Sequence, residues 1–188
     1  MKDIPMVGKR MKRSINKRDS PGPMNSIIEK AMELGATGAV SISADTVVVA
    51  NWVRLKCQYG CGGWGRSLTC PPYSPTPDRM SEILREYSSA ILLHRRGSWP
   101  SIRENLSELE RHAFLAGYYK AFALPSGPCR LCDECNTKEP CKHPREARPS
   151  MEACGIDVFG TARAAGMPIK VAMTKDDEPN FYGLLLLE

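Results

Sequence analysis

The chain has 188 residues, a formal net charge of +5, 42% hydrophobic and 25% charged residues. That is the size of one ordinary domain with enough apolar material for a core, which excludes a wholly disordered or collagen-like chain. Apolar runs such as Gly183 to Leu187 are far too short to span a bilayer, so no transmembrane helix is expected.

In chain order, residues 1–22 come first and carry seven basic residues against Asp3 and Asp19, which accounts for the whole formal excess of charge. Ending in Ser20-Pro21-Gly22-Pro23, this stretch reads as a flexible basic tail in front of a single domain over 23–188. It has no apolar stretch of a secretory signal, so the protein is expected in the cytoplasm. Nor does it have aromatic residues interleaved among its charges, which argues against nucleic acid as its partner.

The domain should open with a helix over Ser26–Leu34, where Ser26 and Glu29 have capping-box spacing and Gly35 terminates. Gly38–Ile42 and Thr46–Leu55 are rich in valine and isoleucine and predict two strands turned by Ser43-Ala44-Asp45. A glycine-rich loop follows. Thr76-Pro77-Asp78 starts a helix whose apolar face is Met80, Ile83, Leu84 and Tyr87. Ala90–His94 reads as a buried strand. Ser101 and Glu104 cap a helix with Ile102, Leu106, Leu109, Ala113 and Ala116 on one side. Lys120–Leu124 is the next strand, then a second cysteine loop to about Pro149. Ser150 caps a helix through about Ala165, and Pro168–Met173 and Phe181–Leu187 predict the last two strands. This order, without strict βαβ alternation, predicts an α+β fold: a mixed sheet covered by helices, with two cysteine-rich metal-binding loops.

The chemistry lies in the eight cysteines. Without a secretory signal, so many thiols argue for metal ligation rather than disulfides. Cys129-x2-Cys132-x2-Cys135-x5-Cys141 places three thiols at a stride of three and a fourth further on. That stride curls the backbone around one small object, so that each thiolate reaches a different iron of a cubane, as in the bacterial ferredoxin run. Here the last gap is five residues rather than three, and Pro144 comes three residues after Cys141. The rival metal is zinc, held by Cys132, Cys135, Cys141 and His143. Zinc sites usually separate two CxxC-type pairs by a dozen residues, so the spacing favours one or two [4Fe-4S] clusters.

The second constellation is Cys57-x3-Cys61-x8-Cys70-Pro71-Pro72. It does not form the CxxxCxxC triad of radical-SAM enzymes, because Trp64 stands where the third cysteine belongs. Glycines at 60, 62, 63 and 65 let the backbone wrap closely and aim amides at sulfur. Three cysteines leave a fourth position open or filled from elsewhere. Cys154 is one candidate, at the start of the helix capped by Ser150, where a thiolate is favoured. It reads equally as a small buried hydrophobe.

Other side chains signal less. His94 and His112 read as structural, and Trp52 and Trp99 as packing residues, while Trp64 stands where it can shield a cluster. Arg145, Arg148 and Glu152 can pair with an anionic cluster or its loop, or with solvent. There is no Ser-His-Asp order and no HExxH motif to support hydrolysis.

The stretches Cys57–Pro77, with Cys70-Pro71-Pro72-Tyr73-Ser74-Pro75-Thr76-Pro77, and Cys129–Val158, with Arg148-Pro149-Ser150-Met151-Glu152-Ala153-Cys154-Gly155-Ile156-Asp157-Val158, resemble domain-of-unknown-function family 2284, described as predicted metal-binding proteins of archaea and anaerobic bacteria. The resemblance implies metal binding and supports Cys57, Cys61, Cys70, Cys129, Cys132, Cys135 and Cys141 as ligands. It supplies no reaction or substrate.

Three functions follow as expectations. The first is an iron–sulfur protein passing electrons to or from a redox partner protein. The second is an enzyme or assembly factor with an open-site cluster at Cys57, Cys61 and Cys70. The third is a zinc-stabilised binding module.

Overall fold

The computed structural model describes residues 22–97 and 101–188, with side chains from 105 onward in the second stretch. The tail up to residue 21, Trp99 and the Ser101/Glu104 capping box with Ile102 lie outside these described residues.

Helix α1 runs Pro23–Glu33 and starts three residues before the expected cap. Proline at the first position has its φ already set and no N–H to leave unsatisfied. Ser26 therefore lies inside the helix, where its Oγ meets His112 Nε2 at 3.1 Å. Gly35 ends the helix as expected, in the left-handed region at φ 92°. Strand β1 follows at Gly38–Ser43.

The strand expected over 46–55 is not formed. Ala44–Thr46 make a 3-10 turn, and helix α2 occupies Trp52–Gly60. The intervening valines are stitched to a distant segment instead of the sheet. Val48 N donates to Thr161 Oγ1 at 3.0 Å, Asp157 N donates to Val48 O at 2.8 Å, and Val49 bridges Ile156. Valine's preference for extended backbone is met, but its ladder partner is a loop.

Helix α3, Pro77–Leu84, is the element expected. Thr76 Oγ1 accepts from Arg79 N, and Met80 and Leu84 are buried. Strand β2 is Ser89–Arg96, helix α4 Ser101–Leu115 and strand β3 Phe122–Leu124. The helix expected from Ser150 is split. Ser150 Oγ does accept from Ala153 N at 3.1 Å, but only a 3-10 turn, Glu152–Cys154, follows. Gly155 at φ 81° reverses the chain, and Asp157 caps helix α5, Val158–Ala164, by accepting from Gly160 N at 3.0 Å. Pro168–Met173 pairs with no described strand, and Pro168 O accepts from the Tyr182 hydroxyl at 2.5 Å. Strand β4 is Asn180–Leu186.

The class is α+β. The sheet order is β1-β2-β4-β3, and all three pairings are antiparallel where a mixed sheet was expected. Both faces are covered. Ala90, Leu92, Leu184 and Leu186 pack with Met80, Leu84 and Ala162 on one side. Ile91, Leu93, Leu185 and Leu187 pack with Ile27, Ala31, Leu106 and Leu109 on the other. Burial on both faces explains why these strands read as continuous apolar runs rather than alternating ones. No helix among the described residues is long and apolar enough to cross a membrane.

Two histidines serve this framework. His94 is buried, with Nε2 2.9 Å from Asn180 Oδ1 and its ring stacked on Tyr182 at 4.8 Å. His112, through Ser26, ties α4 to α1.

Candidate metal centre

All eight cysteines are among the described residues, and all are free thiols. Cys57 is on the last turns of α2 rather than at a strand end. It is half-buried, and its Sγ donates to Glu152 O at 3.8 Å. Cys61 is exposed at the end of the helix, while Cys70 is buried. What lets the last two approach is Gly63. A Cβ built there would stand 3.2 Å from Cys70 Sγ and 3.6 Å from Cys61 Sγ. Any side chain at this position would enter the space shared by both sulfurs.

Arg54 organises the same corner. One helical turn before Cys57, its Nη1 donates to Ser74 Oγ, Pro75 O and Ala153 O at 3.2, 3.2 and 2.7 Å. Its guanidinium also lies 5.6 Å from the Trp64 ring centre, so Trp64 covers this cation. Trp52, expected to pack, is half exposed at the cleft described below. Arg54 was missed in the sequence because its signal, an i, i+3 relation to Cys57, exists only if residues 52–60 are helical.

The thiols resist ionisation as they stand. Burial pushes Cys57 up, and the neighbouring Cys61 and Glu152 charges add to it against the opposing pull of Arg54. Burial likewise raises Cys70, followed by Cys61. Hydrogen bonds from Ser67 and Thr69 work the other way, and Cys129 adds a further upward push. Crowded like-charged donors in a half-buried corner are costly alone. The attraction of a bound cation for each thiolate would outweigh these costs, so the donor set has the chemistry of a metal site. Among the described residues, however, no three Cys, His, Asp or Glu side chains stand together closely enough to hold a metal ion.

The second loop, 125–150, contains no helix or strand. Cys129, Cys132, Cys135 and Cys141 are all half-buried in it. His143 N donates to Cys141 Sγ at 3.4 Å, an amide–sulfur bond of the kind that tunes a metal thiolate. The His143 ring itself pairs with Glu146, Nδ1 to Oε2 at 3.6 Å. The loop's far end is clamped by Arg148. Its Nε and Nη2 donate to the two Glu110 oxygens at 2.8 and 2.5 Å, with both side chains mostly buried. Glu110 also accepts from Ala123 N at 2.7 Å, so the clamp reaches the sheet. Arg148 is thus committed to Glu110.

The two cysteine segments adjoin. Gly127 and Pro128, just before Cys129, line a cleft of about 820 Å³ together with Cys57, Cys61 and Cys70. Cys141 and Cys154 both line a second cavity, of about 440 Å³, beside Leu68 and Thr69.

Cys154 is in the 3-10 turn, wholly buried in the core under Leu184 and Leu186. The helix N-terminus expected to favour its thiolate is absent, and burial drives the thiol up to about 12, with Arg54 opposing and Glu152 and Cys57 adding. Cys154→Ala is expected to leave the metal content unchanged and cost about 1 kcal/mol, since it removes a single sulfur from the core. Metal analysis with urea unfolding checks this, and loss of metal would make Cys154 a ligand.

A family model described as "Predicted metal-binding protein (DUF2284)" matches residues 40–187. The matched stretch contains every cysteine and starts inside β1. No curated protein and no solved structure matches the chain.

Proposed function

Because the chain belongs to the family of predicted metal-binding proteins whose model it matches, we propose that it is a cytoplasmic iron–sulfur protein with one or two [4Fe-4S] clusters that exchanges electrons with a partner redox protein. The observation that carries this reading is that Cys57, Cys61 and Cys70 line one cleft, the last two with their sulfurs at the vacant Cβ position of Gly63, and that Gly127 and Pro128, which lead into the loop of Cys129, Cys132, Cys135 and Cys141, line it too. A cluster, when bound, supplies a one-electron site and leaves its thiolates chemically unchanged.

The chain's own residues would set its properties. Arg54 places a positive charge near Cys57 and Cys154, which favours added electron density at that end. The His143 amide does the same at Cys141. Trp52 and Trp64 line the cleft. The reading requires no acid–base residue, and the basic tail suits an acidic partner.

A second reading has one observation in its favour. Three cysteines rather than four face the cleft of about 820 Å³, a volume within the range of small-molecule sites. An enzyme or assembly factor with a substrate on an open iron position would use that space.

Anaerobic purification with iron, zinc and acid-labile sulfide analysis tests both readings. Brown protein with matched iron and sulfide is expected. Colourless protein with stoichiometric zinc would replace both with a zinc-stabilised module.

A further inference from the structure

We propose that Glu152 is the fourth protein ligand of the centre held by Cys57, Cys61 and Cys70, its Oε2 taking the position that three thiolates leave vacant. The inference rests on the metal-centre reading above and assigns a ligand to it.

The first observation is an orphan. Glu152 Oε2 is shielded from solvent and accepts no hydrogen bond from any described residue. A buried carboxylate oxygen without a donor or a cation is costly, and native folds seldom leave one so. The cation in this corner does not serve it, since Arg54 spends Nη1 on Ser74, Pro75 and Ala153.

The second observation is place. Glu152 lines the same cleft as Cys57, Cys61 and Cys70, and its main-chain oxygen already accepts from Cys57 Sγ at 3.8 Å. A carboxylate that lines the same cleft as three thiols can join them on one metal centre. The turn that carries it is held on both sides. Ser150 Oγ caps it, Arg54 and Ser74 bind Ala153 O, and Gly155 leaves it in the left-handed conformation. The carboxylate is therefore presented by a braced element, as a ligand requires.

The alternatives are Cys154 and Cys129. Cys154 is enclosed among Leu184, Leu186 and Met151 on the core side. Cys129 acts electrostatically on Cys70 but belongs to the stride-three run, where Cys132 and Cys135 would otherwise lose a partner.

The test uses the full chain, purified anaerobically, as wild type, Glu152→Ala, Glu152→Gln, Glu152→Cys, Cys129→Ala and Cys154→Ala. Circular dichroism confirms that each variant is folded, and Glu152→Gln keeps the side-chain shape. Iron and sulfide per chain, electron paramagnetic resonance of the oxidised protein and the midpoint potential are measured. Both Glu152→Ala and Glu152→Gln are expected to lose about one iron per chain and to gain the signal of a three-iron cluster, because a carboxylate-held iron is the one without a thiolate. Glu152→Cys is expected to retain all the iron, with a shifted potential. Wild-type iron, spectrum and potential in both Glu152→Ala and Glu152→Gln would overturn the ligand role. So would the same single-iron loss in Cys154→Ala alone, whereas Cys129→Ala is expected to lose iron from the second loop and to leave the Glu152-dependent signal unchanged. Wild-type protein without iron and sulfide would overturn the cluster reading itself, a result seen before any variant is compared.

Discussion

Cys132→Ser or Cys135→Ser is expected to remove a whole cluster's worth of iron and to destabilise the protein by on the order of 4 kcal/mol or more, because metal that binds only the folded chain adds its binding free energy to stability. The expectation is strong for this loop because residues 125–150 hold no helix or strand. The Arg148–Glu110 clamp holds one end and β3 the other. Between those anchors local hydrogen bonds such as His143 N to Cys141 Sγ hold the chain, and on the proposed reading metal–thiolate bonds would add to them at the four half-buried cysteines. Iron and sulfide analysis with thermal unfolding under anaerobic conditions reads both effects. If both variants kept full iron and sulfide, this loop would not be a cluster site.

Gly155→Ala is expected to cost about 3 kcal/mol, the sum of a left-handed backbone for a residue with a side chain and an overpacked contact. At φ 81°, its new Cβ would stand 2.6 Å from Pro77 Cγ and 3.2 Å from Pro77 Cα. Pro77 is the first residue of α3 and cannot swing away without tilting that helix. Gly155 O also accepts from Ala50 N at 2.9 Å, so displacement would pull on the chain entering α2 and Cys57. Gly166→Ala is the control. Gly166 has φ 68° with nothing within 4 Å of its Cβ position, so only the backbone cost of about 1 kcal/mol remains. Urea unfolding of both variants separates the terms. Equal losses would show that the Pro77 contact carries no energy.

Elements written in local chemistry were legible. Thr76-Pro77 with apolar residues at i, i+3 and i+4 makes α3 wherever it is placed, because cap, proline and periodicity agree. Ala90–Leu93 and Phe181–Leu187 are apolar at every position or nearly so, and the only use for such a run in a chain of this size is a strand buried on both faces. The spacing of Cys129, Cys132, Cys135 and Cys141 is legible for the same reason, since ligand geometry acts over a few residues. Local signals misled where a distant partner outbid them. Val47–Val49 has the composition of a strand, but β2 already pairs with β1 and β4, and the valines bond to 155–161 instead. Pro168–Met173 likewise joins no described strand, and Pro168 O accepts from the Tyr182 hydroxyl instead.

The class of fold, the two cysteine segments and the metal-binding family were all legible before folding was considered, because propensity, capping and ligand spacing are short-range properties read from neighbouring residues. Out of reach of local reading were the helix that sets Cys57 one turn from Arg54, the space at Gly63 between Cys61 and Cys70, the burial of Cys154 in the core, and the Glu152 carboxylate oxygen left without a donor. These depend on which segments meet in space, as where Arg54 holds Ser74, Pro75 and Ala153, and that is settled by closing one packed core rather than by any local preference.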